Sequence, residues 1–492
     1  MPDTHHDPNH ARRWTILGVI GIAQLMVVLD ATIVNIALPS AQQDLGFSND
    51  DRQWIITAYA LAFGSLLLLG GRIGDLFGRK WAFIAGLIGF AIASAIGGAA
   101  QSFGVLVAAR ALQGVFGALL APSALSLLSV TFTDPSERGK AFGIFGAIAG
   151  GGAAIGLLLG GILTETLSWR WCLYVNLLFA LPAAAAAFVM IKQTANPGRP
   201  QLDIPGTIAA CTGVFLLVFG FAKAETEGWS APITLGSLAA GVVLVALFVF
   251  LQTRVKHPLL PLRVVLDRNR GGAYLAVGLS GAGMFGVFLF LTFFLQQTKD
   301  LTPIQTGLGF LPMTACIMIT ATLGNTKLVP RFGPKPLISL GMTLAAIALV
   351  IFAQLGVDSS YAGHVLPGLM IMGVGMGLIF APAFASATSG VARHDAGVAS
   401  AMVNTAQQVG GSIGTAFLST MANTAAIDYA TSRGARARTP EVAAKAAVEG
   451  YTTAFWWSAG IFLVGAIVCG LILRPGADEF SEAGEGEPVV AH

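Results

Sequence analysis

The chain has 492 residues, of which 55% are hydrophobic and only 11% charged, against about 25% charged in a typical soluble protein. With a mean hydropathy of +0.74, this composition excludes a soluble globular domain and predicts an all-α polytopic membrane protein. The net charge of +3 is too small to suggest nucleic acid as a partner. The four cysteines (Cys172, Cys211, Cys316, Cys469) all lie in apolar segments, so neither a disulfide framework nor a Cys-x-x-Cys metal site is implied, and no metal is expected.

Apolar runs of about 20 residues, the length that crosses a hydrocarbon core, recur along the sequence. They predict fourteen transmembrane helices at 14–38, 54–71, 81–100, 105–131, 141–163, 171–191, 204–222, 231–251, 271–295, 304–326, 336–356, 361–387, 396–425 and 451–473. The first run follows Arg12 and Arg13 and lacks a clear cleavage site, so it is read as a retained helix and not a signal peptide. Within it stands a lone carboxylate, Asp30, with no other ionisable residue from Trp14 to Leu38. A charge at mid-bilayer depth costs at least ~2.5–3.5 kcal/mol, and a carboxyl group in that setting can exchange a proton near neutral pH. Asp30 is therefore the first candidate for proton coupling. Arg110, inside the fourth span, is the one cation within a span; Gln113 and Gly114 share its helical face at i+3 and i+4.

Most of the 28 Lys+Arg fall in one alternate set of loops, which places both termini on the cytoplasmic side of a cell membrane. The loop after span 2 reads Leu76-Phe77-Gly78-Arg79-Lys80, and the loop after span 10 reads Arg331-Phe332-Gly333-Pro334-Lys335. This echo implies two six-helix halves with spans 7 and 8 inserted between them, a known transporter plan with the substrate site at the interface. The expected domains are a tail (1–13), an N-terminal half (14–191), the inserted pair with linkers (192–270), a C-terminal half (271–473) and an acidic, disordered tail (474–492). His5, His6 and His10 read as a solvated terminus. The basic stretch at 254–270 reads as an inner connector facing anionic lipid.

Five segments carry a family resemblance. Leu29-Asp30-Ala31-Thr32-Ile33-Val34-Asn35-Ile36-Ala37-Leu38-Pro39 resembles the helix-1 signature of the 14-helix drug:proton antiporters of the major facilitator superfamily. Gln53-Trp54-Ile55-Ile56-Thr57-Ala58-Tyr59 is similar to the start of their helix 2, and Gly71-Arg72-Ile73-Gly74-Asp75-Leu76-Phe77-Gly78-Arg79-Lys80 to the superfamily's signature loop. Leu106 to Gly114 resembles the helix-4 motif. Trp169-Arg170-Trp171 with Asn176 resembles the entry to helix 6.

The resemblance implies proton transfer or coupling for Arg110. It also implies a conformational latch at Gly71, Asp75, Gly78, Arg79 and Lys80 that stabilises the outward-facing state. Gly152, Gly156 and Gly160, spaced by four, and Gly161 form a small-residue face for close helix approach. They resemble the antiporter motif, but Leu157 stands at its proline position and Leu178 where a proline follows the helix-6 asparagine. Asn35, Gln113, Gly114 and Asn176 are candidate cavity-lining residues. Met284, Gln296, Gln407 and Gln408 are further conceivable ones, and no individual phenylalanine among the 31 is assigned.

The expected function is secondary active export by alternating access, driven by protons and requiring no cofactor. The expected partners are a small lipophilic substrate, protons and membrane lipid, and a monomer is expected. Alternatives on the same scaffold are a dedicated exporter of an endogenous metabolite or self-made antibiotic, an uptake symporter, and a non-transporting sensor. No nucleophile–base constellation or phosphate loop points to an enzyme. With one membrane carboxylate, a dication lacks a pair of counter-charges, so neutral or monocationic substrates are expected. Paired measurements with a dicationic drug and a monocationic analogue should show export of the monocation alone; equal rates would overturn the idea.

Overall fold

A computed structural model describes residues 12–47, 49–193, 202–433 and 439–474. The tails expected at 1–13 and 474–492 fall outside these residues, apart from Arg12, Arg13 and Arg474, as do His5, His6 and His10. The elements are α1 (Arg13–Leu45), α2 (Asn49–Phe77), α3 (Arg79–Gly98), α4 (Phe103–Thr131), α5 (Pro135–Thr166), α6 (Trp171–Met190), α7 (Ile204–Glu227), α8 (Pro232–Gln252), the short α9 (Leu262–Val265), α10 (Arg268–Phe293), α11 (Pro303–Leu323), the short α12 (Val329–Phe332), α13 (Pro334–Phe352), α14 (Leu366–Ala387), α15 (Ala396–Ser432) and α16 (Pro440–Ile472). No strand occurs among the described residues. An apolar medium leaves backbone amides no water to bond, so each crossing segment must satisfy them within itself, as a helix does.

Twelve of these helices are long and apolar enough to cross a membrane, among the described residues. The other two expected spans, 141–163 and 396–425, fall in α5 and α15, which are 32 and 37 residues long. The described apolar stretch of α5 is Ile155–Thr166, and α15 is diluted by Asn404, Gln407, Gln408, Ser412 and Thr415. Several helices run past the boundaries read in the sequence, α2 to Phe77, α5 from Pro135, α7 to Glu227 and α15 to Ser432 among them. The helix expected to end at Leu38, before Pro39, continues to Leu45 with Pro39 exposed inside it, while Ala37, Leu38 and Ala41 on either side are buried in a core cluster. The last helix begins at Pro440, not 451, started by Thr439 Oγ1 accepting from Val442 N.

Helix starts elsewhere follow local chemistry. Asp203 caps α7 through Gly206 N, and Asp267 caps α10 through Asn269 N and Arg270 N. Thr302 and Gln305 form a reciprocal capping box at α11.

Helices α2 and α3 pack along α4, α1 touches it, and α6 packs on α3 and α1. The pair α7–α8 packs mainly on itself, with α7 touching α2 and α15. Helices α10, α11, α13, α14, α15 and α16 form the remaining body, which meets the first through α5 against α11 and α14 and through α15 against α2 and α4.

One close approach sets the position of α1. A Cβ on Gly152 would lie 2.9 Å from Val28 Cγ1, one on Gly156 would strike Thr32 Oγ1 and approach Leu29 O to 3.2 Å, and one on Gly160 would lie 2.9 Å from Ile33 Cγ1. The glycine face of α5 therefore seats the turn of α1 that carries Asp30. Leu157, at the position of the missing proline, is buried in the main core, and α5 runs unbroken past it. Because the nearest obstacle to a Cβ at Gly156 is one hydroxyl, Gly156→Ala should cost about 1–3 kcal/mol by overpacking. Thermal unfolding in detergent should show that loss and its recovery when Thr32→Ala is added.

Candidate functional site

Near the middle of α1, Asp30 is fully buried, and four helices supply its surroundings. From α4, Arg110 Nη1 donates to Asp30 Oδ2 at 2.6 Å, and Gln113 Nε2 donates to Asp30 Oδ1 at 2.9 Å. From α6, Asn176 Nδ2 donates to Asp30 Oδ1 at 2.7 Å. The hydroxyl of Ser94, on α3, accepts from Gln113 Nε2 at 2.7 Å and from Asn176 Nδ2 at 3.3 Å. Arg110 Nη1 also donates to Gln113 Oε1 at 2.6 Å, and its Nε donates to Ile55 O at 3.3 Å. The guanidinium carbon sits 4.5 Å from the ring centre of Tyr59, which is itself stacked on Phe63. A cation on an aromatic face gains most where water is excluded.

The arrangement solves the problem that a lone acid poses in an apolar helix. One charge neutralises another at Oδ2, and the amides of Gln113 and Asn176 both bond Oδ1. One atom is left over: Asn176 Oδ1 is buried with no hydrogen-bond partner. A spare acceptor beside a carboxylate is costly to keep.

The structure thus gathers Asp30, Arg110, Gln113 and Asn176 into one network. Asn35 is exposed, on another face of α1 from the buried Asp30, and makes no recorded bond to it. Gly114 lies where α4 meets α2; a Cβ there would stand 2.6 Å from Tyr59 O. Ser94 was not legible as a member, since a single serine in the apolar run Ile92-Ala93-Ser94-Ala95 looks like any small helical residue. Met284 is buried, and none of Met284, Gln296, Gln407 or Gln408 lines the apolar groove of about 730 Å³ between α10, α15 and α16.

A second cluster closes one end of the bundle. Asp75, near the end of α2, accepts from Gly397 N at 2.9 Å and Val398 N at 3.1 Å, in the first turn of α15, and from Arg79 Nη2 at 3.0 Å. A carboxylate there satisfies free helix-start amides and complements the positive end of the helix dipole. Gly71 allows the approach, for a Cβ on it would lie 2.5 Å from Gly397 O. Gly78 takes φ +103° between α2 and α3, a backbone conformation open to glycine. Lys80 Nζ donates to Phe188 O at 2.8 Å and rests beside the rings of Trp81 and Phe188. Nearby, Arg13 grips Glu137 with bonds of 2.6 and 2.7 Å, joining the starts of α1 and α5.

A bundle of apolar helices with a buried ion pair in its middle and a charged clasp at one end is the architecture of a membrane transporter. The Major Facilitator Superfamily model matches residues 20–415, and the chain belongs to that superfamily of multi-pass membrane transporters. It is 46% identical to the puromycin resistance protein of Streptomyces alboniger, over 96% of this chain and 94% of that one. It is 34% identical to the tetracenomycin C resistance and export protein of Streptomyces glaucescens, over 91% and 85%. Its fold is similar to that of the human organic anion transporter MFSD10 (TETRAN), with a TM-score of 0.62 at 14% identity, covering 93% of this chain and 99% of that one.

Removing one partner of a buried pair strands the other, at a cost of about 3–5 kcal/mol, whereas removing both charges costs less. Arg110→Gln should therefore lower the unfolding temperature in detergent more than the double variant Asp30→Asn/Arg110→Gln does. Ser94→Ala, which leaves Gln113 and Asn176 their bonds to Asp30, should cost about 1 kcal/mol.

Proposed function

We propose that the protein is a proton-coupled exporter of lipophilic neutral or monocationic antibiotic-like molecules, working by alternating access. It would act in a cell membrane with fourteen spans, α5 and α15 included, and both termini in the cytoplasm. Helices α1–α6 and the six long helices from α10 to α16 would form the two halves, with α7–α8 the inserted pair.

The observation that carries the reading is the Asp30–Arg110 contact of 2.6 Å in the fully buried centre of α1–α6. A proton arriving on Asp30 takes over the neutralising role of Arg110 and weakens the pair. The new O–H needs an acceptor, and turning over the Asn176 amide, whose Nδ2 now faces Asp30 and whose Oδ1 has no partner, supplies one. Arg110, released from the carboxylate, keeps Ile55 O, Gln113 Oε1 and the face of Tyr59. Protonation thereby exchanges one bonded arrangement for another among five helices, which is how a local charge change biases two global states. With Arg110 on Asp30, a singly charged substrate finds a counter-charge there only by displacing the guanidinium, and a dication finds no second acid in the middle of the spans.

The Asp75 clasp joins the end of α2 to the start of α15, so in this reading it holds the cytoplasmic side shut and stabilises the outward-facing form. At about 100 mV the potential supplies ~2.3 kcal/mol per charge, and one pH unit adds ~1.4 kcal/mol. Together they support a gradient of several hundredfold for a neutral substrate at one proton per molecule; a monocation, exchanged electroneutrally, draws on the pH term alone.

The relatives' names favour a second reading, a dedicated exporter of one antibiotic on the same machinery. Puromycin is the first probe to set beside a general lipophilic dye.

Energised inside-out vesicles bearing either the parent chain or Asp30→Asn test the coupling. A monocationic dye should enter only the parent vesicles, and uptake should stop when the pH gradient alone is collapsed. Undiminished uptake by Asp30→Asn would remove Asp30 from the mechanism.

A further inference from the structure

Beside Asp75 lies another carboxylate that the clasp does not use. Asp395 immediately precedes α15, yet its side chain makes no capping bond to that helix. Its side chain is only 3% exposed, and it faces three basic groups. Arg263 Nη2 of α9 donates to Asp395 Oδ2 at 2.7 Å, Arg72 Nη1 of α2 lies 3.9 Å from Asp395 Oδ1, and the exposed His394 Nε2 lies 3.5 Å from Oδ2. Helix α2 thus offers α15 two charges one turn apart: Asp75 to its amides and Arg72 to the acid in front of them.

Arg263 arrives from a different part of the chain. It belongs to the connector between α8 and α10, and that connector is fastened at both ends. Gln252, the last residue of α8, donates to Asp203 Oδ2 at 2.8 Å and accepts from Leu260 N at 3.0 Å, so the caps of the α7–α8 pair and the connector share one amide. Leu259 and Leu260 are buried with Ala209 of α7, Leu68 of α2 and Val398 of α15. Arg270 then bonds Arg263 O and Ser389 O, at 3.0 and 3.1 Å, tying the connector to the approach to α15.

We propose that Asp395 is a second gate carboxylate at this end and that Arg263 makes the inserted pair part of the gate. A carboxylate sealed from water needs its counter-charges; once the gate opens, water takes their place. Each arginine therefore stabilises the closed form more than the open one, and losing either shifts the balance towards opening. With the acid neutralised, that dependence disappears. Arg263 is a positioning residue in this account and touches no substrate.

The inference rests on the alternating-access reading, and its test needs neither substrate nor proton gradient. Spin labels at Lys140→Cys on α5 and Lys327→Cys beyond α11, both exposed, report the separation of the two bodies at this end. The measurement uses the full chain in nanodiscs with the four native cysteines replaced by alanine. The parent should show a short and a long distance. Arg263→Gln should raise the long-to-short ratio about tenfold, between the worth of an exposed pair and of a buried one. Arg263→Lys, which keeps the charge, should stay near the parent, and the Arg263 side chain is 68% exposed, so these variants leave the core intact. In an Asp395→Asn background, Arg263→Gln should change the ratio by less than about twofold. An unchanged ratio in Arg263→Gln, or an equal shift in the Asp395→Asn background, overturns the proposal. A parent with one distance under every condition overturns the alternating-access reading and the proposal with it.

Discussion

The buried pair of Asp30 and Arg110 is the constraint to which the first six helices conform. Two opposite charges in an apolar interior are tolerable only at contact distance and with further hydrogen bonds to them. Meeting that requirement fixes the rotation of α1, α4 and α6 and draws in Ser94 from α3 and a carbonyl from α2. The glycine face of α5 follows from the same need, since α1 can present Asp30 to α4 only if its opposite side lies flush against a neighbour. Polar chemistry at the centre and close packing behind it are two sides of one arrangement.

The clasp at the end of α2 works by a different kind of force. Asp75 meets helix-start amides, a directional interaction that needs near contact and vanishes when the helices part. An exposed carboxylate would contribute little there. Asp75 is buried against α15, and Gly71 and Gly397 permit the burial by letting the backbones touch.

Much of this was legible in the sequence, for identifiable reasons. Ionisable residues are so scarce in the spans that Asp30 and Arg110 stand out unaided, and the i, i+3 spacing of Arg110 and Gln113 places both on one face. Asn176 came through its place after Trp169-Arg170-Trp171. Other parts depend on contacts that no local pattern encodes. A lone serine such as Ser94 gives no sign of the amides it will receive from two other helices. Gly114 looks like a gap beside Arg110, but it is the seat of Tyr59's carbonyl. Pro39 suggests a helix end because in water it usually makes one; packing of Ala37, Leu38 and Ala41 in a core cluster carries α1 onward to Leu45.

All the groups that bond Asp30 come from α1 to α6, while the large apolar groove lies among α10, α15 and α16. The charged centre and the groove are therefore written in separate stretches of the gene. Substitutions that reshape the second stretch leave the charged centre intact, so a lineage can retune one while inheriting the other unchanged. A scaffold divided in this way lets one region drift in shape while the other keeps its charges in register.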